Sequence, residues 1–502
     1  MVMTIPAVRV KDLNGKGCNA ANDYILYWMT AARRTRDNFA LQAAVKLSLQ
    51  YKKPILVFEA LRFDHEWASD RLSAFVLDGM RANAQSFAKH GITYFPYREP
   101  TKGAGRGLLE SLAAKAVAVV TDGFPSYFID RMTTSVADRL DTSVFRVDSN
   151  GICPLDEVEK TFLTAYSFRR YLQKNLVTFL GQLPMAQSLE AYTCDEAAQI
   201  PEHVPSRWKP LELSMSRAEM LKMLGSSGYR HQLGFVDDIG GEDEAQSRWH
   251  RFLTDRLGRY SDDRNHPTKI GTSRLSAYLH FGHISTSTMV RDMLAAHGWT
   301  ADQASSTAKG SREGWWNLPS ATEAFLDQVI TWRELGYIFC HRNPNTYNQY
   351  AGLPEWALKT LDDHASDTRE FVYSLDQLDH AKTHDELWNA AQTQLREEGY
   401  IHNYMRMLWG KKILEWTPSP EHAFEILVEL NNRYAIDGRN PNSWSGLCWT
   451  LGRFDRPWGP ERKVFGKIRF MSSLNTAKKL PVKDYLAQYG GRGTQAQLFS
   501  AR

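Results

Sequence analysis

The sequence predicts an α/β domain followed by an all-helical domain, and three observations indicate this fold class. The chain has 502 residues, which exceeds the size of one ordinary domain. In the first third, short apolar runs bounded by turn residues alternate with helical patterns, as is typical of a parallel sheet covered on both faces. From about residue 216 onward, strand signals disappear and amphipathic stretches alternate with Pro, Gly and Asp turns.

The α/β domain is predicted from apolar runs and from the helical patterns between them. The apolar runs lie at 24–29, 55–58, 92–97, 116–121 and 144–148, and helical patterns lie at 38–49, 73–90 and 107–114. We expect a Rossmann-like parallel sheet, in which ligands bind beyond the carboxyl ends of the strands. Gly103, Gly105 and Gly107 lack the GxGxxG spacing and do not follow the first strand, so they predict a flexible loop.

The change of pattern divides the chain into three segments. We expect the α/β domain at residues 20–165, a linker at 166–215 and the helical domain at 216–485. The linker carries Pro184, Pro201, Pro205 and Pro210 with little periodicity, which predicts a segment that runs over the surface. Residues 490–502 are polar, and we expect them to be frayed.

Composition excludes several classes of protein. Hydrophobic residues make up 43% and charged residues 24%, as in soluble globular proteins, and no apolar run approaches the length of a membrane span. The first residues lack the apolar core of a secretory signal. The five cysteines are scattered without a CxxC pair, so neither a zinc knuckle nor a disulfide framework is indicated, and we expect a cytoplasmic protein. The net charge of +4 neither demands nor excludes nucleic acid.

Tryptophan is concentrated between residues 383 and 458. This segment holds six of the 15 tryptophans of the chain: Trp388, Trp409, Trp416, Trp444, Trp449 and Trp458. A buried indole needs a partner for its N–H group, so such a cluster is a costly feature of a core. It indicates packing against a flat group or a path for electrons, although an aromatic helical core is the simpler interpretation of each residue alone.

Two short motifs precede this segment. The hydroxyl residues Thr272, Ser273 and Ser276 lie at a predicted helix start, where free backbone N–H groups form a seat for a phosphate, although Ser and Thr also cap most helices. His280 and His283 are three residues apart without further ligands, so core or capping histidines are favoured over a metal site, and we expect no metal.

Three predicted helices carry the remaining polar candidates. Spacing over 321–340 puts Phe325, Gln328, Trp332 and Leu335 on one face. A capping box is predicted at 383–386. A third helix is predicted over 421–432. Asn431 either ends this helix as a C-cap or offers a buried carboxamide to a cofactor.

Longer blocks around these residues resemble the class II cyclobutane pyrimidine dimer photolyases. The blocks are FLDQVITWREL, KTHDELWNAAQ, YMRMLWGKKILEW, LNNRYAIDGRNPN and GRFDRPWGPERKVFGKIRFM, with NDYILYWM, RDNFALQAA and LVFEALRFDHEWASDRLSAFVLDGMR nearer the N-terminus. The likeness covers roughly residues 20–480. It implies an antenna-type α/β domain, an interdomain linker and a helical catalytic domain that holds FAD. It leaves room for a second, antenna chromophore, which the sequence does not identify.

The resemblance implies a role for each candidate residue. The phosphate-binding strip of FAD would comprise Tyr260, Thr272, Ser273, Arg274, Leu275 and Ser276. The flavin ring would lie beside an Arg406–Asp437 ion pair, with Asn431 facing its N5 atom. Electrons would reach the flavin through Trp388, Trp409 and Trp416. The lesion pocket would be lined by Gln328, Trp332, Met407 and Trp449.

The implied reaction is light-driven repair of pyrimidine dimers in UV-damaged DNA by a carbon–carbon lyase that acts as a monomer. Excited reduced FAD would lend one electron to a dimer flipped out of the duplex, and two indole faces would replace the lost stacking. The phosphates would be contacted by a basic segment that includes Arg453, Arg456, Lys467 and Arg469, although a solvated basic loop is the simpler interpretation without the resemblance.

Two departures from the family pattern lie on the substrate side. Gln328 replaces a Glu, and Phe454 replaces a His. Gln328 keeps open a cryptochrome-like flavin photoreceptor with lost or weakened repair. A DNA-binding protein without catalysis and a (6-4) photolyase are disfavoured, the first by the tryptophans and the second because that chemistry relies on active-site histidines.

Overall fold

The computed structural model describes residues 4–491, so the prediction for the chain end falls almost entirely outside the described residues. The strands are β1 (Val10–Asp12), β2 (Tyr24–Met29), β3 (Ile55–Leu61), β4 (Thr93–Arg98), β5 (Ala116–Asp122) and β6 (Val144–Val147). The helices among them are α1 (Phe39–Tyr51), α2 (Asp70–Ala88), α3 (Leu108–Ala113) and α4 (Ile129–Ala137). The predicted alternation of strands and helices is therefore confirmed.

The strands form one sheet in the order β1-β6-β5-β2-β3-β4. Five strands run parallel, whereas β1 pairs antiparallel with β6 at the edge. The sequence predicted the parallel strands but not β1, because three residues with one apolar side chain give no alternation to detect. Every residue of β2 and β5 is buried, as expected for a sheet with helices on both faces.

The remaining chain is helical, and the described residues contain no strand after β6. The helices are α5 (Ala165–Leu180), α6 (His203–Arg207), α7 (Arg217–Gly225), α8 (Glu242–Asp255), α9 (Tyr260–Asp263), α10 (Ser276–His280), α11 (Thr286–Ala296), α12 (Ser320–Leu326), α13 (Arg333–Arg342), α14 (Glu355–Asp363), α15 (Leu375–Asp379), α16 (Glu386–Glu398), α17 (Asn403–Trp416), α18 (Pro420–Tyr434), α19 (Pro441–Thr450), α20 (Ser473–Lys479) and α21 (Lys483–Tyr489).

The helix predicted over 321–340 is interrupted. A π-helical turn at Asp327–Trp332 separates α12 from α13. Such turns insert an extra residue into the helical repeat and are frequent at functional sites. The predicted single face is therefore wrong in its details, since the positions after the turn are rotated relative to those before it.

The capping box predicted at 383–386 is also wrong. The N-cap of α16 is Asp385, whose side chain accepts a hydrogen bond from the backbone N–H of Trp388. The Thr383 hydroxyl instead accepts from the Asp385 backbone and donates to Asn389. The helix therefore begins two residues later than predicted. The capping hydrogen bond of its first turn is made by the backbone N–H of Trp388.

Contacts between residues group the chain into two units. The first unit comprises Met1–Glu159, Leu172–Arg251 and Arg274–Gln303, and the second comprises Lys160–Tyr171, Phe252–Ser273 and Ala304–Arg502. The first contains the sheet and the second contains α12–α21. None of the helices described for residues 4–491 is long and apolar enough to cross a membrane.

Candidate functional site

The tryptophans of α16 and α17 are packed inside the second unit. Trp388, Trp409 and Trp416 expose at most 2% of their surfaces. The Trp388 indole N–H donates to the Trp409 carbonyl at 3.0 Å, and the Trp409 indole N–H donates to Gln392 at 2.9 Å. The Trp388 and Trp416 rings lie 5.6 Å apart at 73°. Trp388 therefore contacts both of the other two residues.

Trp416 also contacts rings that reach the surface. Its ring centre lies 5.5 Å from that of Tyr373 and 5.3 Å from that of His384. His384 is exposed and stacks on the exposed Phe371 at 3.8 Å. A continuous row of aromatic rings thus runs from the buried Trp388 to solvent.

The polar candidates for the flavin ring lie on α17 and at the end of α18. The Arg406 guanidinium forms an ion pair with Asp437 at 3.2 Å, and the two side chains remain 26% and 14% exposed. Asn431 is buried and donates its amide N–H to the Asn432 side-chain oxygen at 3.1 Å. The Asn432 oxygen also accepts the backbone N–H of Arg439, so the acceptor that orients the Asn431 amide is itself held in place.

These groups match the chemistry of a reduced flavin. A cation fits the negative charge of the ring, and a buried amide without an ionisable proton fits an atom that changes protonation with redox state. The Arg406–Asp437 pair is accessible enough to meet a ligand and yet preorganised by its own contact. The residues therefore fit FAD in the type of their polar atoms.

The predicted phosphate strip is divided between the two units. Tyr260, Thr272 and Ser273 belong to the second unit, whereas Arg274, Leu275 and Ser276 belong to the first. In the second unit, Tyr260 packs edge-on against Phe252 and Phe325, and burial raises the pKa of Tyr260 to about 12. Thr272, Ser273 and Arg274 are half-buried.

The first-unit part of the strip has an unusual backbone. Arg274 adopts a positive φ of 56°, and its guanidinium lies 3.7 Å from the Asp238 carboxylate. Leu275 is buried, whereas Ser276 is exposed as the first residue of α10. The predicted helix start is thus confirmed, although α10 has only five residues.

The lesion-side candidates occupy the accessible face of an otherwise buried segment. Over residues 321–340 only Ala324, Gln328 and Trp332 are less than fully buried, and they are spaced by four residues. Met407 is likewise half-buried on α17. Gln328 and Trp332 therefore do share an accessible face, as predicted, while Phe325 and Leu335 belong to the core.

A buried ion pair anchors the π turn. Both Arg169 and Asp327 are more than nine-tenths buried, and the guanidinium donates to the carboxylate at 2.7 and 3.1 Å. Arg169 also donates to the Gly310 carbonyl at 3.1 Å. Because Asp327 directly precedes Gln328, this contact fixes the backbone that carries the lesion-side residues. Sequence reasoning missed Arg169, since nothing near it in the chain indicates its partner.

Trp449 is half-buried on α19 and has cations near its ring. The Lys411 ammonium lies 4.8 Å from the ring centre, and the Arg469 guanidinium lies 5.8 Å from it. Arg469 also stacks on Trp458 at 4.1 Å and forms an ion pair with Asp455 at 2.8 Å. Lys411 was not predicted, because the KK pair of α17 looks like an ordinary charged helix surface in sequence.

The basic segment is only partly a surface feature. Arg456 and Lys467 are exposed and Arg469 is half-buried. Arg453, in contrast, is 7% exposed, lies 4.1 Å from the Phe339 ring and donates to the Gly352 carbonyl. These contacts are typical of a core residue. The burial of Arg453 therefore does not support the phosphate contact predicted for it.

Two further residues discussed from the sequence are core residues. Phe454 is buried and packs edge-on against Phe339 at 5.6 Å. His283 is fully buried, accepts the Gly241 backbone N–H at 2.9 Å, and has its pKa lowered to about 3 by burial. Within residues 4–491, no group of three or more His, Cys, Asp or Glu side chains could hold a metal ion.

Comparison with known proteins supports the same family along the chain. The DNA photolyase family model matches residues 25–190. The chain is 32% identical to the deoxyribodipyrimidine photo-lyase of Methanothermobacter thermautotrophicus, covering 97% of this chain and 99% of that protein. It is 33% identical to the enzyme of that name from Oryza sativa subsp. japonica, covering 92% and 87%.

The fold is shared with a solved structure. The crystal structure of a bacterial class III photolyase from Agrobacterium tumefaciens matches with a TM-score of 0.64 at 15% identity, covering 93% of this chain and 86% of that one. The α/β domain followed by a helical region is therefore the fold of this chain, as predicted. From the near full-length identity to enzymes of one name, the chain belongs to the deoxyribodipyrimidine photo-lyase family of enzymes.

Proposed function

We propose that this protein binds FAD in its helical domain, at residues 216–485, and uses it to repair cyclobutane pyrimidine dimers in UV-damaged DNA. The proposal is supported most by the Arg406–Asp437 ion pair, which puts a preorganised and accessible cation in the same helical unit as the buried Asn431 amide. When bound, reduced FAD supplies one electron to the dimer after absorbing blue light and receives it back after the ring opens.

Arg406 would stabilise the negative charge of the reduced cofactor. A fixed guanidinium beside a ring anion costs no reorganisation, because Asp437 already orients it. Asn431 would face N5 with an amide that cannot exchange a proton over the ordinary pH range. Tyr260, Thr272 and Ser273, which belong to the same unit as Arg406 and Asn431, would hold the phosphates.

Trp388, Trp409 and Trp416 would reduce the cofactor under light. The ring contact between Trp388 and Trp416, and the hydrogen bond from Trp388 to Trp409, support a relay with Trp388 in the middle. Trp416 would be its outer end, since it contacts Tyr373 and the exposed His384. Electrons would then enter from solvent donors on that side.

Gln328, Trp332, Met407 and Trp449 would receive the dimer after it leaves the duplex. The two half-buried indoles would replace the stacking that flipping removes, at about 1–3 kcal/mol for each base. Gln328 would donate its amide N–H to a carbonyl oxygen of the dimer. Arg456, Lys467 and Arg469 would contact the phosphates, and their charges support DNA as the partner.

A cryptochrome-like photoreceptor is the second candidate, and Gln328 is the residue that favours it. A neutral amide carries neither the charge nor the transferable proton of the Glu that the resemblance leads us to expect. Assignment to class II, a monomeric state, a cytoplasmic location and an antenna chromophore of unknown identity also stay predictions from the sequence.

The test is a repair assay with the purified protein. We expect FAD to be bound near stoichiometrically, and a dimer-containing oligonucleotide to lose its dimers only under blue light after chemical reduction of the protein. A protein that takes up no flavin on reconstitution would overturn the proposal at its first step. Flavin binding without repair would favour the photoreceptor.

A further inference from the structure

Lys411 is a buried cation whose surroundings differ from those of an ordinary buried lysine. Its exposure is 0%, and its ammonium donates a hydrogen bond to the Thr450 carbonyl. In the described part of the chain, no carboxylate forms an ion pair with this ammonium. Burying a charge without a counterion is costly, so its retention at this position calls for a compensating role.

The adjacent Lys412 provides an internal comparison. Its ammonium forms an ion pair with Glu415 at 2.8 Å and lies 5.2 Å from the ring centre of Trp416. Two successive lysines thus contact two different tryptophans. Only Lys412 has a carboxylate partner, whereas Lys411 faces a carbonyl and the Trp449 ring at 4.8 Å.

Charged neighbours of Lys411 are already engaged with each other. Asp455 accepts from the Arg469 guanidinium at 2.8 and 3.2 Å and from the Trp458 indole N–H at 3.1 Å. Burial lowers the pKa of Lys411 to about 7, while Asp455 raises it and Arg469 lowers it. Lys411 is therefore protonated below about pH 7 and neutral above it.

We propose that the Lys411 ammonium is the positioning group for Trp449: in its protonated form it holds the indole by a cation–π contact and thereby strengthens lesion binding. The inference rests on the proposed function, in which Trp449 lines the lesion pocket. Deprotonation leaves a neutral amine, which keeps a donor for Thr450 but loses the attraction to the ring. The half-buried Trp449 side chain then regains rotamer freedom that lesion binding must remove again.

The proposal predicts a pH step in lesion recognition. In the dark, the FAD-loaded protein should bind a dimer-containing oligonucleotide more tightly at about pH 6 than at about pH 8.5. Relative to an undamaged oligonucleotide of the same sequence, the preference should fall about fivefold to thirtyfold over this range. Using this ratio cancels the titration of His364, whose pKa is raised by its hydrogen bond to Asp367 and which also contacts Glu461.

Four variants identify the source of the step. The dimer preference of Lys411→Met should be independent of pH and as weak as that of the natural protein at about pH 8.5. The dimer preference of Lys411→Arg should be independent of pH and as strong as that of the natural protein at about pH 6. Trp449→Leu removes the same contact by removing the ring, so its dimer preference must also be independent of pH. This variant tests the proposal if Lys411→Met does not fold. Lys412→Met is the matched control, and its profile should keep the step of the natural protein.

The outcomes separate this inference from the proposed function. A natural protein without any preference for the dimer at any pH would refute the proposed function itself. A dimer preference that stays constant across the pH range would overturn only the role of Lys411. The same conclusion would follow if Lys411→Met and Trp449→Leu kept the step, or if Lys412→Met lost it.

Discussion

Six tryptophans of the helical half form two sets with opposite surroundings. The buried set (Trp388, Trp409 and Trp416) is almost without solvent exposure, and two of its indole N–H groups donate within the set or to a core glutamine. The accessible set (Trp332, Trp449 and Trp458) is half-buried, and cations stack on two of its rings. Indoles that are fully enclosed can only pass electrons or pack, whereas indoles with a free face can take up a base.

The comparison predicts that the two sets can be disabled separately. Trp416→Phe should abolish photoreduction of the bound flavin, because the row of rings to solvent would lose its outer indole. Repair by the chemically reduced protein should be unchanged. Flavin absorbance under illumination measures the first effect, and dimer loss measures the second. Unchanged photoreduction in Trp388→Phe, Trp409→Phe and Trp416→Phe alike would exclude the relay.

Trp332 of the accessible set lies in the π turn, and a buried ion pair between Arg169 and Asp327 anchors this turn. Arg169→Leu leaves the Asp327 carboxylate buried without its partner, which should lower the free energy of unfolding by about 3–5 kcal/mol. Denaturant unfolding measures this loss. The double variant Arg169→Leu with Asp327→Leu is the control and should recover most of the stability. Equal stability of the single variant and the natural protein would show that the pair does not hold the turn.

Truncating an accessible indole should weaken the affinity for the lesion and leave flavin binding unchanged. Trp449→Ala should weaken binding of the dimer by about 1–3 kcal/mol, the range for loss of one stacking partner. Flavin content and photoreduction should stay as in the natural protein. Binding titrations in the dark give the first quantity and absorbance spectra the others. A Trp449→Ala protein with unchanged affinity would remove this residue from the pocket.

Gln328 is the polar residue of the proposed lesion pocket, and its replacement tests whether this pocket meets the dimer. Gln328→Glu should raise the quantum yield of repair, because an acid can share a proton with the dimer radical anion and an amide cannot. Gln328→Ala should lower the quantum yield below that of the natural protein, since loss of one such hydrogen bond costs about 1–3 kcal/mol. Equal yields in all three proteins would mean that residue 328 does not meet the lesion. Repair only in the Glu variant would establish the photoreceptor interpretation.

The smallest expected effect concerns the basic segment near Trp458. Affinity for damaged duplex should fall with salt, and each lost phosphate contact should reduce the logarithmic salt slope by about 0.9. Lys467→Gln should show this reduction, whereas Arg453→Gln should not, because Arg453 is buried against Phe339. Titrations at several salt concentrations measure both slopes. A flat salt profile of the natural protein would remove the segment from the binding site.

Local patterns were sufficient for most of the fold. The apolar run at 24–29 predicts β2 to the residue, because its side chains are buried on both faces of the sheet. The short edge strand β1 and the π turn were missed, since both arise from distant partners. β1 is defined by pairing with β6, and the π turn is anchored by Arg169, which lies 158 positions from Asp327.

The candidate site was likewise predicted in part, and the features that depend on tertiary packing were missed. Sequence blocks identified Arg406 and Asp437, and the structure joins them in an ion pair. They could not show that Arg453 is buried while Arg456 is exposed, because both lie in one basic run. Nor could they show that Lys411 faces Trp449, a contact between residues 38 positions apart that only the packing of α17 and α19 creates.

The central claim is that Trp332 and Trp449 of the accessible set meet a pyrimidine dimer and that the buried set supplies electrons. It is tested most directly by the light-dependent repair of a dimer-containing oligonucleotide by the natural protein, with the redox state of the flavin monitored throughout. The account predicts loss of dimers under blue light, none in the dark, and no net change in the reduced flavin. Retained flavin photoreduction without any loss of dimers would contradict it.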